Sequence, residues 1–107
     1  MEITSSELRE KINEGEKFVV DFWAPWCGPC RVTKPIFEKV GKQLKEDNSE
    51  VTFYSVDVQT YPDAARDLGI RNIPTIKSFN GGKEVESRTG VLQEEQLNEM
   101  AKTLLNG

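Results

Sequence analysis

The chain has 107 residues, room for one domain and too little for two, since domains typically hold about 100–150 residues. Charged residues make up 30% and the net charge is −4, a balance that suits a globular surface and leaves no basic stripe for a nucleic-acid backbone. There are two cysteines and no histidine, which excludes Ser-His-Asp and Cys-His nucleophile systems and a structural zinc site of four Cys/His ligands within one chain.

From the N-terminus, Met1 to Ile3 supplies at most a very short edge strand. Thr4-Ser5-Ser6-Glu7 has capping-box spacing, with Thr4 as N-cap and Glu7 reaching back to its amide. Leu8 and Ile12 give the helix that follows one buried stripe, and Gly15 sits where a left-handed residue would end it. Phe18 to Trp23 is apolar on both alternating faces except at Asp21, the pattern of a central strand covered on both sides. A second helix is expected from the cysteines to about Lys45, carrying Ile36, Phe37, Val40 and Leu44, with Pro35 inside it removing a backbone donor and kinking it. Val51 to Val58 reads as a further buried strand. Pro62 and Asp63 open a short helix with Ala64, Ala65 and Leu68, and Gly69 lies past its end. Thr75 to Phe79 and Glu84 to Thr89 flank Asn80-Gly81-Gly82-Lys83, a hairpin signal. Leu97, Met100, Ala101, Leu104 and Leu105 form the apolar face of a last helix. The order is (β)αβαβαββα, and a layered α/β domain with a central mixed sheet over residues 1–107 is its economical solution. The N-terminus is acidic and polar and no apolar run approaches the roughly 20 residues of a membrane span, so a cytoplasmic monomer with no membrane partner is expected.

The chemistry concentrates in Trp23-Ala24-Pro25-Trp26-Cys27-Gly28-Pro29-Cys30. A disulfide between cysteines three residues apart closes so small a loop that it is worth about 2 kcal/mol, against about 4.7 for a loop of a hundred residues. Chemistry explains the pair better than stability does. Cys27 falls at the predicted helix N-terminus, where unbonded amides and the helix dipole favour a thiolate, the nucleophile of disulfide exchange. Cys30, one turn further in, is placed to attack a mixed disulfide made by Cys27, with Gly28 and Pro29 setting the geometry. On spacing alone, half of a zinc site or two incidental buried cysteines would look the same.

Over essentially the whole chain the sequence resembles thioredoxin-family proteins. The resemblance is carried by Asp21-Phe22-Trp23-Ala24, by the Cys27-Gly28-Pro29-Cys30 string and by Pro35 in the helix after it. It continues through Gly69-Ile70-Arg71-Asn72-Ile73-Pro74-Thr75, Phe79 ahead of Gly81-Gly82, and Gly90, with a shortened N-terminus. It implies a thioredoxin fold and a general protein-disulfide reductase without cofactor or metal beyond the redox-active Cys27–Cys30 pair. Its partners would be thioredoxin reductase or an equivalent electron donor, and disulfide-containing protein substrates. Cys27 would attack and Cys30 resolve, while Trp26, Gly28, Pro29, Ile73, Pro74, Gly90 and Val91 would line the substrate-docking surface. Pro74 would follow a cis bond, against the ordinary trans preference of X-Pro, leaving the Ile73 backbone free to bond an extended substrate. The competing readings are a Trp26 that caps the core, against which its place beside an exposed nucleophile favours a contact residue, and a Gly90-Val91 pair that marks no more than a strand exit.

A carboxylate on a strand apolar on both faces is costly when charged, so Asp21 is either half of a buried ion pair or functional. The resemblance makes it the proton acceptor and donor for Cys30. Many bacterial family members carry a lysine where this chain has Ser55, so no cation is expected near Asp21. Two other readings use the same scaffold, an oxidase or isomerase and a non-catalytic subunit of a larger complex. Gly28-Pro29 resembles the reducing end of the range.

Overall fold

The computed structural model describes residues 1–107. Phe18–Trp23 forms strand β1, Thr52–Asp57 β2, Thr75–Asn80 β3 and Lys83–Thr89 β4, in one sheet of spatial order β2-β1-β3-β4. The β1–β2 pair is parallel, while β1–β3 and β3–β4 are antiparallel, so the sheet is mixed. Helices α1 (Ser5–Asn13), α2 (Gly28–Glu46), α3 (Pro62–Asp67) and α4 (Glu94–Asn106) cover its two faces. The short N-terminal strand is reduced to one parallel bridge from Glu2 to Ser55 on the outer edge of β2.

Alternation along β1 sorts the core. Phe18, Val20 and Phe22 pack with Leu8, Tyr54, Val56, Ala64 and Phe79 on the α1/α3 face. Val19 packs with Phe37, Val40, Phe53, Ile76, Leu97, Met100 and Leu104 on the α2/α4 face. Asp21 shares the face of Val19, because side chains two apart on a strand lie on the same side. All of Phe18 to Phe22 is fully buried, which fits the central position of β1.

Local signals account for most element ends. Thr4 and Glu7 close the capping box in both directions. Gly81 and Gly82 take φ of +63° and +84°, the two positive values that a tight two-residue hairpin turn requires. Helix α2 continues through Pro35, and the missing amide there leaves the Arg31 carbonyl without its helical partner. Gly41 lets α2 lie close on β2, since a Cβ there would stand 2.8 Å from the Phe53 Cβ. Two expectations need correction. Leu105 is 44% exposed, because α4 turns only Leu97, Met100, Ala101 and Leu104 fully inward. Helix α3 stops at Asp67, so Leu68 caps its end and packs half-buried on the α1/α3 core. No helix is long and apolar enough to cross a membrane.

Candidate functional site

Strand β1 ends at Trp23, and a short turn through Ala24, Pro25 and Trp26 delivers the chain to α2. Cys27 is the N-cap of that helix, with extended backbone, and its Sγ accepts from the Cys30 amide at 3.2 Å. Pro29 in the first turn needs no amide partner and has φ suited to the helix start. That turn holds no acidic residue, so nothing opposes the positive end of the helix dipole at the sulfur. Cys27 and Cys30 are joined in a disulfide with Cα atoms 5.3 Å apart.

Both sulfurs are largely covered, Cys27 at 5% exposure and Cys30 at 1%, and they pack with Ala24, Trp23, Val58 and Ile73. Around them Gly28 and Pro29 are exposed and Trp26 is 68% exposed, so the indole covers no core. Three further segments reach this end of the sheet. Ile73–Pro74 is a cis peptide bond, and the Ile73 carbonyl oxygen lies 3.7 Å from Cys27 Sγ. The Pro74 carbonyl accepts from the Gly90 amide at 2.9 Å, which ties the end of β4 to the same loop. Gly90 has φ +101°, a value that favours glycine, and it leads to the exposed Val91. Sheet order β1-β3-β4 thus gathers Cys27, Ile73, Pro74 and Gly90 from distant parts of the chain.

Asp21 lies beneath, with no solvent exposure and no hydrogen-bond partner for either carboxyl oxygen. Desolvation disfavours its charged form and pushes its pKa up to about 7. The expectation that no cation stands nearby is overturned. The position opposite Asp21 on β2 is Ser55, but the Lys34 ammonium from α2 pulls the Asp21 pKa down, while Glu2 and Glu38 push it up. Lys34 Nζ sits 3.6 Å from the centroid of the Trp23 ring, 3.3 Å from Glu2 and 3.8 Å from Glu38. Glu2 also accepts from Trp23 Nε1, at 2.7 and 3.1 Å to its two oxygens. The Thr33 hydroxyl, one turn from Cys30 on the buried face of α2, is likewise without a partner. Sequence reading passed over Lys34, Glu2 and Thr33. The available signal was the four-residue spacing of Lys34 from Cys30, which puts it on the same flank of the helix.

A dithiol at a helix N-terminus, beside an open surface and above a carboxyl group that titrates near neutrality, is equipped for thiol–disulfide exchange. No group of three or more potential metal ligands occurs. The family model for thioredoxin matches residues 1–103. A thioredoxin of Mycoplasmoides gallisepticum is 38% identical over 97 residues, covering 91% of this chain and 93% of the relative. Among solved structures, the thioredoxin of Malassezia sympodialis superposes with TM-score 0.82 at 31% identity, over 95% of this chain and 89% of the other. That of Fasciola hepatica gives 0.80 at 37% identity, over 94% and 93%. The chain therefore belongs to the thioredoxin family of protein-disulfide reductases.

Proposed function

We propose that residues 1–107 form one thioredoxin domain that reduces protein disulfides, with Cys27 as the attacking and Cys30 as the resolving thiol. The observation that carries this reading is Cys27 at the head of α2, its sulfur on the Cys30 amide and its surroundings open at Trp26, Gly28 and Pro29. In the reduced protein the Cys27 thiolate attacks one sulfur of the target disulfide, forming a mixed disulfide and releasing the other target sulfur as a thiolate. Cys30 then attacks Cys27 Sγ, closing the Cys27–Cys30 disulfide and freeing the second target thiol. Two electrons pass from the dithiol to the target. The proton that Cys30 must lose goes to Asp21, whose pKa of about 7 suits it to take and return a proton at neutral pH. Thioredoxin reductase or an equivalent donor restores the dithiol.

Trp26, Ile73, Pro74, Gly90 and Val91 complete the docking surface with Gly28 and Pro29. The Ile73 carbonyl lies 3.7 Å from Cys27 Sγ, which supports pairing of this backbone with an extended target segment. The acidic net charge of −4 supports protein partners over nucleic acid, in a cytoplasmic monomer. Gly28-Pro29 between the cysteines favours the reductase over an oxidase, isomerase or purely structural subunit. The test is reduction of insulin disulfides, driven first by a dithiol and then by candidate reductases. Wild type is expected to turn over, and Cys27→Ser to lose all turnover. Equal rates in the two proteins would remove Cys27 from the mechanism.

A further inference from the structure

Lys77 is a charged residue where the sheet has no need of one. It stands on the inner strand β3, opposite Val20 in the β1–β3 register and so on the α1/α3 face, with its side chain only 9% exposed. Taking an ammonium out of water is costly unless it is paired, and an apolar residue there would carry no such cost. Beyond the end of α3 the chain returns to β3 through Gly69 to Asn72, and between that loop and strands β3 and β4 runs a groove of about 250 Å³. Thr75 ties the two sides together by donating to the Asn72 carbonyl. Two cations, Arg71 and Lys77, line the groove and no acidic residue does. The Lys77 ammonium has three donors, of which one goes to Glu84 at 2.7 Å and one to the Ser87 hydroxyl at 3.2 Å. Since the Ser87 oxygen accepts there, its own proton is left to be donated. Arg71 is exposed on the loop side, and the carboxylates of α3 and β4 are engaged elsewhere, Asp63 and Asp67 by Arg9, Glu84 by Lys77 and Glu86 by Arg88. In a protein of net charge −4 this is a local excess of positive charge and of donors.

We infer that this groove receives the carboxylate of an Asp or Glu that flanks the target disulfide, held between the Arg71 guanidinium and the Lys77 and Ser87 donors. The inference rests on the reading of the cysteine end of the sheet as a disulfide-reducing site, and names the targets that site prefers. Its position supports this. Asn72, Thr75 and Thr89 line the groove and are the chain neighbours of Ile73, Pro74 and Gly90, and Thr75 pairs with Thr89 at the start of the β3–β4 ladder. The groove therefore begins where the docking backbone ends. An extended segment paired along Ile73 advances about 3.3 Å per residue, so a side chain within about three residues of the target cysteine comes within reach of it. Size points the same way, because the volume lies below the roughly 300 Å³ at which pockets for whole small molecules begin, and suits the end of one side chain.

The test uses peptide disulfides that differ at one position near the cysteine, on either side of it, where they carry Glu, Gln or Lys. The full chain reduces them at low salt, driven by a dithiol. At the favoured position the Glu peptide should exceed the Gln peptide in kcat/KM by about tenfold, mostly through KM, and the Lys peptide should fall below both. The Glu-to-Gln ratio is read within each protein, so a variant that folds less well does not blur it. Arg71→Gln and Lys77→Met should each bring the ratio close to one, whereas Glu84→Gln, which frees the Lys77 ammonium, should raise it. A Lys77–Glu84 pair that serves the fold alone would leave the ratio unmoved in all three, and that result overturns the inference. Equal reduction of Glu and Gln peptides at every position by the wild type overturns it too, while leaving the reductase reading intact. Amide shifts at Arg71 and Ser87 that follow inorganic phosphate, beside such equal rates, would assign the groove to a free anion instead. Reduction of none of the peptides would overturn both the inference and the reading beneath it.

Discussion

At Asp21 stability and function pull apart, and the sign of the conflict is fixed by its pKa. An unfolded Asp loses its proton near about 3.9, whereas the buried side chain holds its own to about 7. Between those values the native state binds more protons than the unfolded one, so stability falls as pH rises. The advantage of the protonated form is complete below about pH 4 and gone above the folded value, a difference of about 4 kcal/mol over the roughly three pH units between them. Histidine is absent, so no other side chain with an ordinary pKa titrates between about pH 5.5 and 7.5 to mask the slope. Asp21→Asn removes the titrating group. Urea titrations should show the variant more stable than wild type at pH 8, by a smaller margin at pH 5, and by none near pH 3.5. Turnover should slow in the same variant. An Asp21→Asn protein less stable than wild type at pH 8 would mean that the carboxylate is paired and stabilising.

Among the elements, α2 carries both the chemistry and the tightest packing. Ala is a better helix former than Gly by about 1 kcal/mol, so propensity alone has Gly41→Ala stabilise the protein. The Cβ would stand 2.8 Å from Phe53 Cβ, an atom next to the β2 backbone that cannot swing away. Overpacking of this kind costs about 1–3 kcal/mol and outweighs the propensity gain. Gly41→Ala should therefore lower the urea midpoint, by a net loss of up to about 2 kcal/mol. A raised midpoint would show that α2 can ride away from the sheet. The same helix shows what the sequence could and could not disclose. Its start at the cysteines, the capping box of α1, the Gly81-Gly82 turn and the alternation in β1 are set by neighbours a few residues apart, and each was legible. The contact of Lys34 with Trp23 and Glu2 depends on how α2 is rotated on the sheet and on where the N-terminus comes to rest, which no local pattern encodes. Leu105 was misplaced for the same reason, since apolar spacing allowed a wider buried stripe on α4 than its packing uses.

For the molecule as a whole, the mixed sheet serves to bring three distant segments to one edge. Strand β1 presents the cysteines, the loop before β3 presents Ile73 and Pro74, and the exit of β4 is tied to that loop through Gly90. The helices on the α2/α4 face bury Asp21 under the same edge. The central claim is that this assembly makes Cys27 the atom that attacks a target disulfide. It is tested most directly by trapping the mixed disulfide. Reduced Cys30→Ser protein should accumulate a covalent adduct with a disulfide-containing substrate, and mass spectrometry should place the bond on Cys27, while Cys27→Ser should give almost none. An adduct held through Cys30 in the Cys27→Ser protein, at a level matching that of Cys30→Ser, would contradict the account.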